Sequence, residues 1–327
     1  MSSIEMRNQR IAFLDTSKCI LILLVILGHI LEHYMTEGSM QMSTFNFIFS
    51  FAMPAFITIS GYFIRIEAPL KGIAKLCETY MVFQVFHSII DLDFSPFRLM
   101  FFPKWTMWYL ISLVWWKVAI YIYERFSTNI YALFVLSIIL SILIPFIKVP
   151  VYFLAIERTV SYFPFFLLGV LLKKVDIEQF RRLRLVRTIS VTIIIVSFVF
   201  ALCYPMEMRW LYNWNSLYNS MPISLRLAPF IRLIAITGCS VLALSVMVIA
   251  PNNIETIQQE GKNSLFYYMW HSILLTIIFA FFKHFNVTIG FIESCGLWLA
   301  VIITLYAMSK VKLFQILLNP FTYFRKK

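Results

Sequence analysis

Charge is scarce in this chain. Asp, Glu, Lys and Arg make up 13% of its 327 residues, against roughly 25% in a soluble domain. That is too little polar surface to clothe a water-facing fold. Cysteine is sparse as well: Cys19, Cys77, Cys203, Cys239 and Cys295 are scattered without paired spacing, which argues against a disulfide framework and a cysteine metal cluster. Only nine glycines are present, leaving little for loops that cradle phosphates. There is no G-x-x-x-x-G-K, no Rossmann fingerprint and no G-x-S-x-G elbow. The ten-residue alternation that a membrane β-barrel needs is missing too.

Apolar residues fill the gap. They make up 61% of the chain, and the mean hydropathy is +0.81. The apolar runs predict an all-α, polytopic membrane protein with about ten transmembrane helices. These spans fall at approximately 11–32, 44–64, 76–91, 105–123, 130–147, 159–172, 188–205, 226–250, 264–282 and 289–309. The third and sixth are shorter than the usual length. Pro54, Pro164 and Pro229 lie in or at the edge of spans and are expected to kink them. The run from Ile11 is too long for a signal-peptide core and no small-x-small cleavage site follows it, so it reads as an uncleaved anchor. No repeat or composition shift divides the chain, and one membrane domain over 1–327 is expected.

Basic residues orient the spans. With the N-terminus cytoplasmic, 19 Lys and Arg fall on the inside and 7 on the outside, while Lys117 and Arg232 stay within spans. This bias predicts both termini inside. The net charge of +12 then reads as topology and attraction to anionic lipid, with no nucleic-acid partner required. The run from Val175 to Arg187, rich in Arg, reads as a cytoplasmic interfacial helix, or as part of a site for a polyanionic cofactor.

One polar stripe interrupts the first span. Lys18 and His29 are eleven residues apart, which on a helix places them within about 20° of each other and roughly 16 Å apart along the axis. Asp15 lies near the stripe and His33 continues it. Ionisable groups cost on the order of 2.5–3.5 kcal/mol each near the centre of a membrane helix, so such a face is expected to line a polar cavity. Histidine is the side chain best poised to take a proton near neutral pH. His29 is therefore a candidate general base, with a structural histidine bonded to another helix as the other reading. His29-Ile-Leu-Glu32-His33 formally matches an H-x-x-E-H zinc pattern. No third ligand is evident and no metal is expected; Glu32 and His33 are placed instead at the outer mouth of the cavity.

Other candidates are more dispersed. Trp210 and Trp214 belong to an aromatic, Asn-rich outer loop that could stack on sugar rings, or could form an interfacial belt. Arg232 is deep enough to need a partner, either an acid or an anionic substrate group. His271 follows Tyr267, Tyr268 and Trp270 and is open between structural and site-facing roles, as Trp108 is between packing and cavity lining. Ser60-Gly61-Tyr62 reads as a place of close helix packing.

Together these residues resemble a family. Asp15-x-x-Lys18 followed by Leu24-Val-Ile-Leu-Gly28-His29 is similar to the opening of the acyltransferase 3 family of membrane acyltransferases, and more narrowly to its fucose 4-O-acetylase-like branch. The likeness continues through Phe51-Ala52-Met53-Pro54, Ser60-Gly61-Tyr62, Trp108-Tyr109-Leu110, Phe163-Pro164 to Gly169, and Ser264 to His271, in the family's order. The resemblance implies transfer of an acyl group, usually acetyl, from cytoplasmic acyl-CoA (acetyl-CoA) to a sugar hydroxyl of a surface polysaccharide or lipid-linked sugar, in a bacterial inner or cell membrane. It implies activity at the Lys18 and His29 positions, with Asp15 beside them. Lys18, Arg10 and Lys75 are the candidates to hold the donor's phosphates, as point charges. Two positions depart from the pattern: Ala52 stands where a His is expected, and Glu78 where a second base is expected. An exporter or flippase for a glycan, or an inactive assembly partner, stays open as an alternative.

Overall fold

A computed structural model describes residues 12–66, 68–126, 129–150, 152–215, 217–252 and 254–324. Arg10, one of the candidate donor-binding bases, lies outside the described residues. Ten longer helices organise the chain: α1 (Ala12–Tyr34), α2 (Met40–Phe63), α3 (Ile73–Asp91), α4 (Trp108–Phe126), α5 (Ile130–Leu143), α6 (Ile156–Leu172), α7 (Arg184–Cys203), α8 (Ala228–Ile249), α9 (Ser264–His284) and α10 (Phe291–Lys310). Short helices join them.

Among the described residues, eight helices are long and apolar enough to cross a membrane by length and composition. They are α1, α2, α7, α8, α9 and α10, plus the longer segments Trp105–Phe126 and Phe153–Leu172 that contain α4 and α6. The expected ten spans thus resolve into these eight and two weaker ones. The third span, α3, is diluted by Lys75, Glu78, Gln84 and His87. The sixth, expected to be short, is lengthened by a 3-10 turn at Phe153–Ala155. The fifth is the short one, an apolar helix over Ile130–Phe146. Pro54 and Pro164 lie inside α2 and α6. Pro229, expected to kink a span, instead starts α8, where its missing N–H leaves no bond unmade.

Burial separates centre from rim. The apolar window of α2 is 83% buried, against 11% in α7 and 17% in α10. An apolar helix exposed all along one side has lipid for its remaining partner. α2 and α6 meet through two glycines: a Cβ on Gly61 would run into the Phe166 carbonyl, and one on Gly169 into the Thr58 carbonyl. Small residues permit that approach where no hydrophobic force draws helices together in lipid. The hydroxyl of Ser60 adds a bond of 2.6 Å to the Tyr109 hydroxyl on α4.

At the N-terminal side of α1, the helix Glu255–Lys262 is laid against it, with Gly261 against the Asp15 backbone. The basic run after α6 is less uniform than an interfacial helix. A six-residue helix, Ile177–Arg182, ends at Leu183, and Arg184 opens α7. Arg181 is buried there: its guanidinium lies 3.8 Å from the Phe13 ring centroid and donates to the carbonyls of Val248 and Ala250 and to Asn252 Oδ1. It fastens the C-terminal end of α8, and Arg182, Arg184 and Arg187 are left exposed.

On the opposite side, the stretch 205–215 crosses the helix ends. Asn46 Nδ2 donates to Met206 O, Arg158 Nε to Asn213 O, and the Tyr162 hydroxyl to Tyr212 O. The charge bias predicts that this stretch lies outside. Reporter fusions at the C-terminus and at Asn215 should therefore report opposite faces of the membrane; the same face for both would break the topology.

Candidate active site

His29 sits near the C-terminal end of α1, facing the region below the crossing stretch. Its Nδ1 lies 3.3 Å from Glu32 Oε2, one turn further along the helix. An ionised carboxylate only accepts, so in the neutral imidazole this contact favours the tautomer with its proton on Nδ1 and a lone pair on Nε2. Beside it, the fully buried His271 ring is stacked at 5.6 Å between centroids with 20° between planes. His271 Nδ1 donates to the Tyr267 carbonyl at 3.1 Å, which fixes the same tautomer. Its Nε2 has no hydrogen-bond partner among the described residues. Both rings are thus held through Nδ1, His29 at the wall of a cavity and His271 with its Nε2 buried.

Trp105 closes the other side, its ring 5.1 Å from that of His29 and 6.1 Å from that of His271. Its φ of +39° puts a bulky residue in the left-handed region, at a cost of about 1–3 kcal/mol. The loop before it is pinned from α3. Gln84, fully buried, accepts from the Lys104 N–H at 3.0 Å and donates to the Phe102 carbonyl at 2.6 Å. Backbone strain kept in place by such bonds is a feature of functional sites.

Three cavities meet at Trp105. One, of about 220 Å³, is bordered by His29 and Glu32, by the aromatics Trp108, Tyr162 and Tyr268, and by Arg158 and Thr106. A second, of about 450 Å³, adds His33 and Arg209. A third, also about 450 Å³, runs past His87, Asp91, Asp93 and Lys104. Aromatic faces with a few convergent polar groups suit a sugar. Positive charge in the first two comes from Arg158, whose guanidinium is 5.0 Å from the Trp108 ring, and from Arg209. Hydrogen bonds donated to Glu207, with Nη2 to Oε2 at 2.7 Å, hold Arg209 above its ordinary pKa. Burial pushes the Glu207 carboxyl up, but those same bonds outweigh it and hold it below the usual range.

Lys18 is at the other end of α1. Its Nζ is 2.6 Å from Asp15 Oδ1 as an ion pair, without the alignment of a hydrogen bond, and 5.2 Å from the Phe63 ring centroid. Ile22 and Val25 lie between Lys18 and His29 on the same helix face, and both are 1% exposed. The stripe is thus polar at its ends and packed between them. Lys75 is exposed in the first turn of α3.

The remaining candidates fall in different places. His33 stacks on Phe279 at 4.0 Å and borders the second cavity. Glu32, placed at the mouth by sequence, is in direct contact with His29. Trp108 borders the first cavity. Trp210 packs in a small separate cluster with Tyr218, Met221 and Ala228. Trp214 is fully buried and lies against Arg232, so neither tryptophan of that loop offers a face to the histidines. Sequence reasoning missed Trp105, Thr106, Tyr162, Arg158, Arg209, Tyr268 and His87. For His87 a signal existed: it is one of only five histidines, and four of these gather around Trp105 and Phe279.

The two departures also find their places. Ala52 is buried in the core and offers no proton-accepting group. Glu78 accepts from the Thr322 N–H at 3.0 Å and from its hydroxyl, while Thr79 Oγ1 donates to Asn319 Oδ1 at 2.9 Å. The acid thus holds the C-terminal helix Pro320–Phe324 against α3, a task that a base at this position could not perform.

A model of the acyltransferase 3 family, described as an acyltransferase domain, matches residues 11–309. No curated protein and no solved structure matches the chain.

Proposed function

The chain belongs to the acyltransferase 3 family of membrane acyltransferases, and from that premise we propose that it transfers an acetyl group from cytoplasmic acyl-CoA to a sugar hydroxyl of a cell-surface or lipid-linked glycan. The observation that carries this reading is His29: oriented by Glu32, stacked on His271, and set at the wall of an aromatic cavity.

The chemistry follows from the tautomer. His29 Nε2 takes the proton of the acceptor hydroxyl as its oxygen attacks the thioester carbonyl carbon. The tetrahedral intermediate collapses with cleavage of the C–S bond, and the imidazolium returns its proton to the departing CoA sulfur. The products are an O-acyl sugar and free CoA. Glu32 stabilises the imidazolium and fixes the ring, as a carboxylate does for the base of a hydrolase triad. Arg158 and the hydroxyl of Thr106, which has no partner among the described residues, are placed to meet charge on the carbonyl oxygen. In this arrangement His271 is the histidine next to the base, and Trp108 and Tyr162 are the stacking faces for the sugar.

The donor enters from the side of Lys18, which the charge bias makes cytoplasmic. Lys18 and Lys75 meet its phosphates, and the roughly 16 Å from Lys18 to His29 is spanned by the pantetheine arm. Ile22 and Val25 part to admit it. Their packing disfavours a continuous path for a whole glycan, which an exporter would need.

Surface glycans from cells with and without the protein test this reading by mass spectrometry. Glycans from producing cells should be heavier by one acyl group on one sugar, and alkali should remove the difference. Identical masses would count against it.

A further inference from the structure

The third cavity, of about 450 Å³, takes no part in the chemistry at His29. Its volume is in the usual range of ligand pockets, about 300–1,000 Å³. It shares walls with the two cavities of His29: Trp105 borders all three, Tyr152 the first and third, and Thr276 the second and third. The Trp105 ring is 5.1 Å from that of His29 and 6.4 Å from that of His87, which is buried at the wall of the third cavity. The two spaces thus adjoin at one indole.

The polar groups of this cavity are of both kinds. Ser272 Oγ donates its hydrogen to the Met269 carbonyl at 2.8 Å, so it accepts from His87 Nε2 at 3.1 Å. The neutral His87 ring then has its lone pair on Nδ1, which has no partner among the described residues. Lys104 Nζ is 2.9 Å from Asp91 Oδ2 and 3.7 Å from Asp93 Oδ2, and Arg98 Nη1 donates to Asp93 Oδ2 at 3.1 Å. These ion pairs cancel the charge and hold the side chains in place. Asp91 Oδ1 has no partner among the described residues, and the Lys104 ammonium, with three N–H groups, has a donor to spare.

A hydroxyl both donates and accepts, and a sugar carries several around an apolar ring face. The free imidazole nitrogen, carboxylate oxygen and ammonium hydrogen match that pattern, while Trp105 and Tyr152 supply aromatic faces. A phosphate would meet two aspartates that their partners only neutralise, and an acyl chain would strand the polar groups. We propose that the third cavity binds a second sugar ring of the acceptor, next to the one that His29 deprotonates, so that the acceptor is an oligosaccharide or polysaccharide with an uncharged sugar at that position. This deepens the acyl-transfer reading and rests on it for the acceptor being a glycan. Asp91 is half-exposed and Arg98 more so, so the far end is open and the glycan continues into solvent.

Calorimetric titration of the full chain in detergent, without acyl-CoA, tests this. The probes are purified single sugars and disaccharides released by acid from the surface glycan of cells that lack the protein. The wild type should bind a disaccharide on the order of 10-fold more tightly than the single sugars that compose it, the scale of one hydrogen bond to a charged group. In Asp91→Ala that ratio should fall close to one, and in His87→Phe it should fall as well. The half-exposed Asp91 decides the matter if His87→Phe does not fold. Equal affinity of the wild type for disaccharides and single sugars would overturn the proposal, as would a preference left intact in Asp91→Ala. A disaccharide preference in a protein that transfers no acyl group would uphold the site and count against the enzyme reading alone. No saccharide binding at all would count against both.

Discussion

His29→Ala should lower acyl transfer by about 10²–10⁴-fold, the usual scale for removing a general base, while leaving the protein in the membrane and its binding of acyl-CoA nearly unchanged. The asymmetry follows from position. His29 is at the far end of α1 from Lys18, with packed Ile22 and Val25 between them. Its loss removes the proton acceptor for the sugar hydroxyl and no contact with the donor's phosphates. Transfer rates per mole of membrane protein, with acyl-CoA binding measured alongside, check this. Near-normal transfer would move the chemistry to His271, whose Nε2 has no hydrogen-bond partner among the described residues. Glu32→Gln should give a smaller loss, because an amide still orients the ring but no longer balances the imidazolium charge.

Val25→Trp should stop transfer nearly as completely, by a different route. Val25 lies on the Lys18–His29 face and is 1% exposed, so a larger ring there fills the line along which the pantetheine arm must pass. Overpacking a core position costs about 1–3 kcal/mol, which the amount of folded protein in the membrane will show. Displacing a reacting group by even 1 Å can cost on the order of 10²-fold in rate, so obstruction of the arm should cost at least that. Val25→Ala should retain transfer. A Val25→Trp variant that is folded and fully active would mean that the donor reaches His29 by another path, with Lys18 and Asp15 then a structural ion pair.

Much of this site was legible in the sequence because one helix carries it. An eleven-residue spacing on an apolar helix has one physical meaning, a shared face, and Lys18 and His29 share it in the structure. Gly61 was legible too, as a small residue in a membrane helix, where close helix packing needs small residues. The partners of His29 were not. Trp105 and Arg158 sit at the mouths of helices, where an aromatic or a base reads equally well as an interface anchor. His271 was ambiguous because a buried histidine satisfied by its own helix and one presented to a neighbour have the same sequence; here it is both, donating to Tyr267 and stacking on His29.

The aromatic loop was less legible. Its sequence left Trp210 and Trp214 open between stacking on sugars and an interfacial belt, and the loop folds back, with Trp214 at φ +58° turned onto Arg232. Composition cannot reveal that a residue two helices away supplies a charge to cover. Nor does it show that Glu78 is committed to Thr322, since that contact joins residues 244 apart. Span lengths erred for a local reason. The sixth was read from its apolar core alone, without the turn at Phe153–Ala155 that lengthens it.

The most direct test is reconstitution of the purified protein in vesicles with acetyl-labelled acetyl-CoA on the side of the chain termini and a glycan acceptor on the other. Label should appear on the acceptor in step with free CoA in the wild type, and in neither place with His29→Ala. Movement of unlabelled glycan across the membrane, without acetyl-CoA and without release of CoA, would contradict the account.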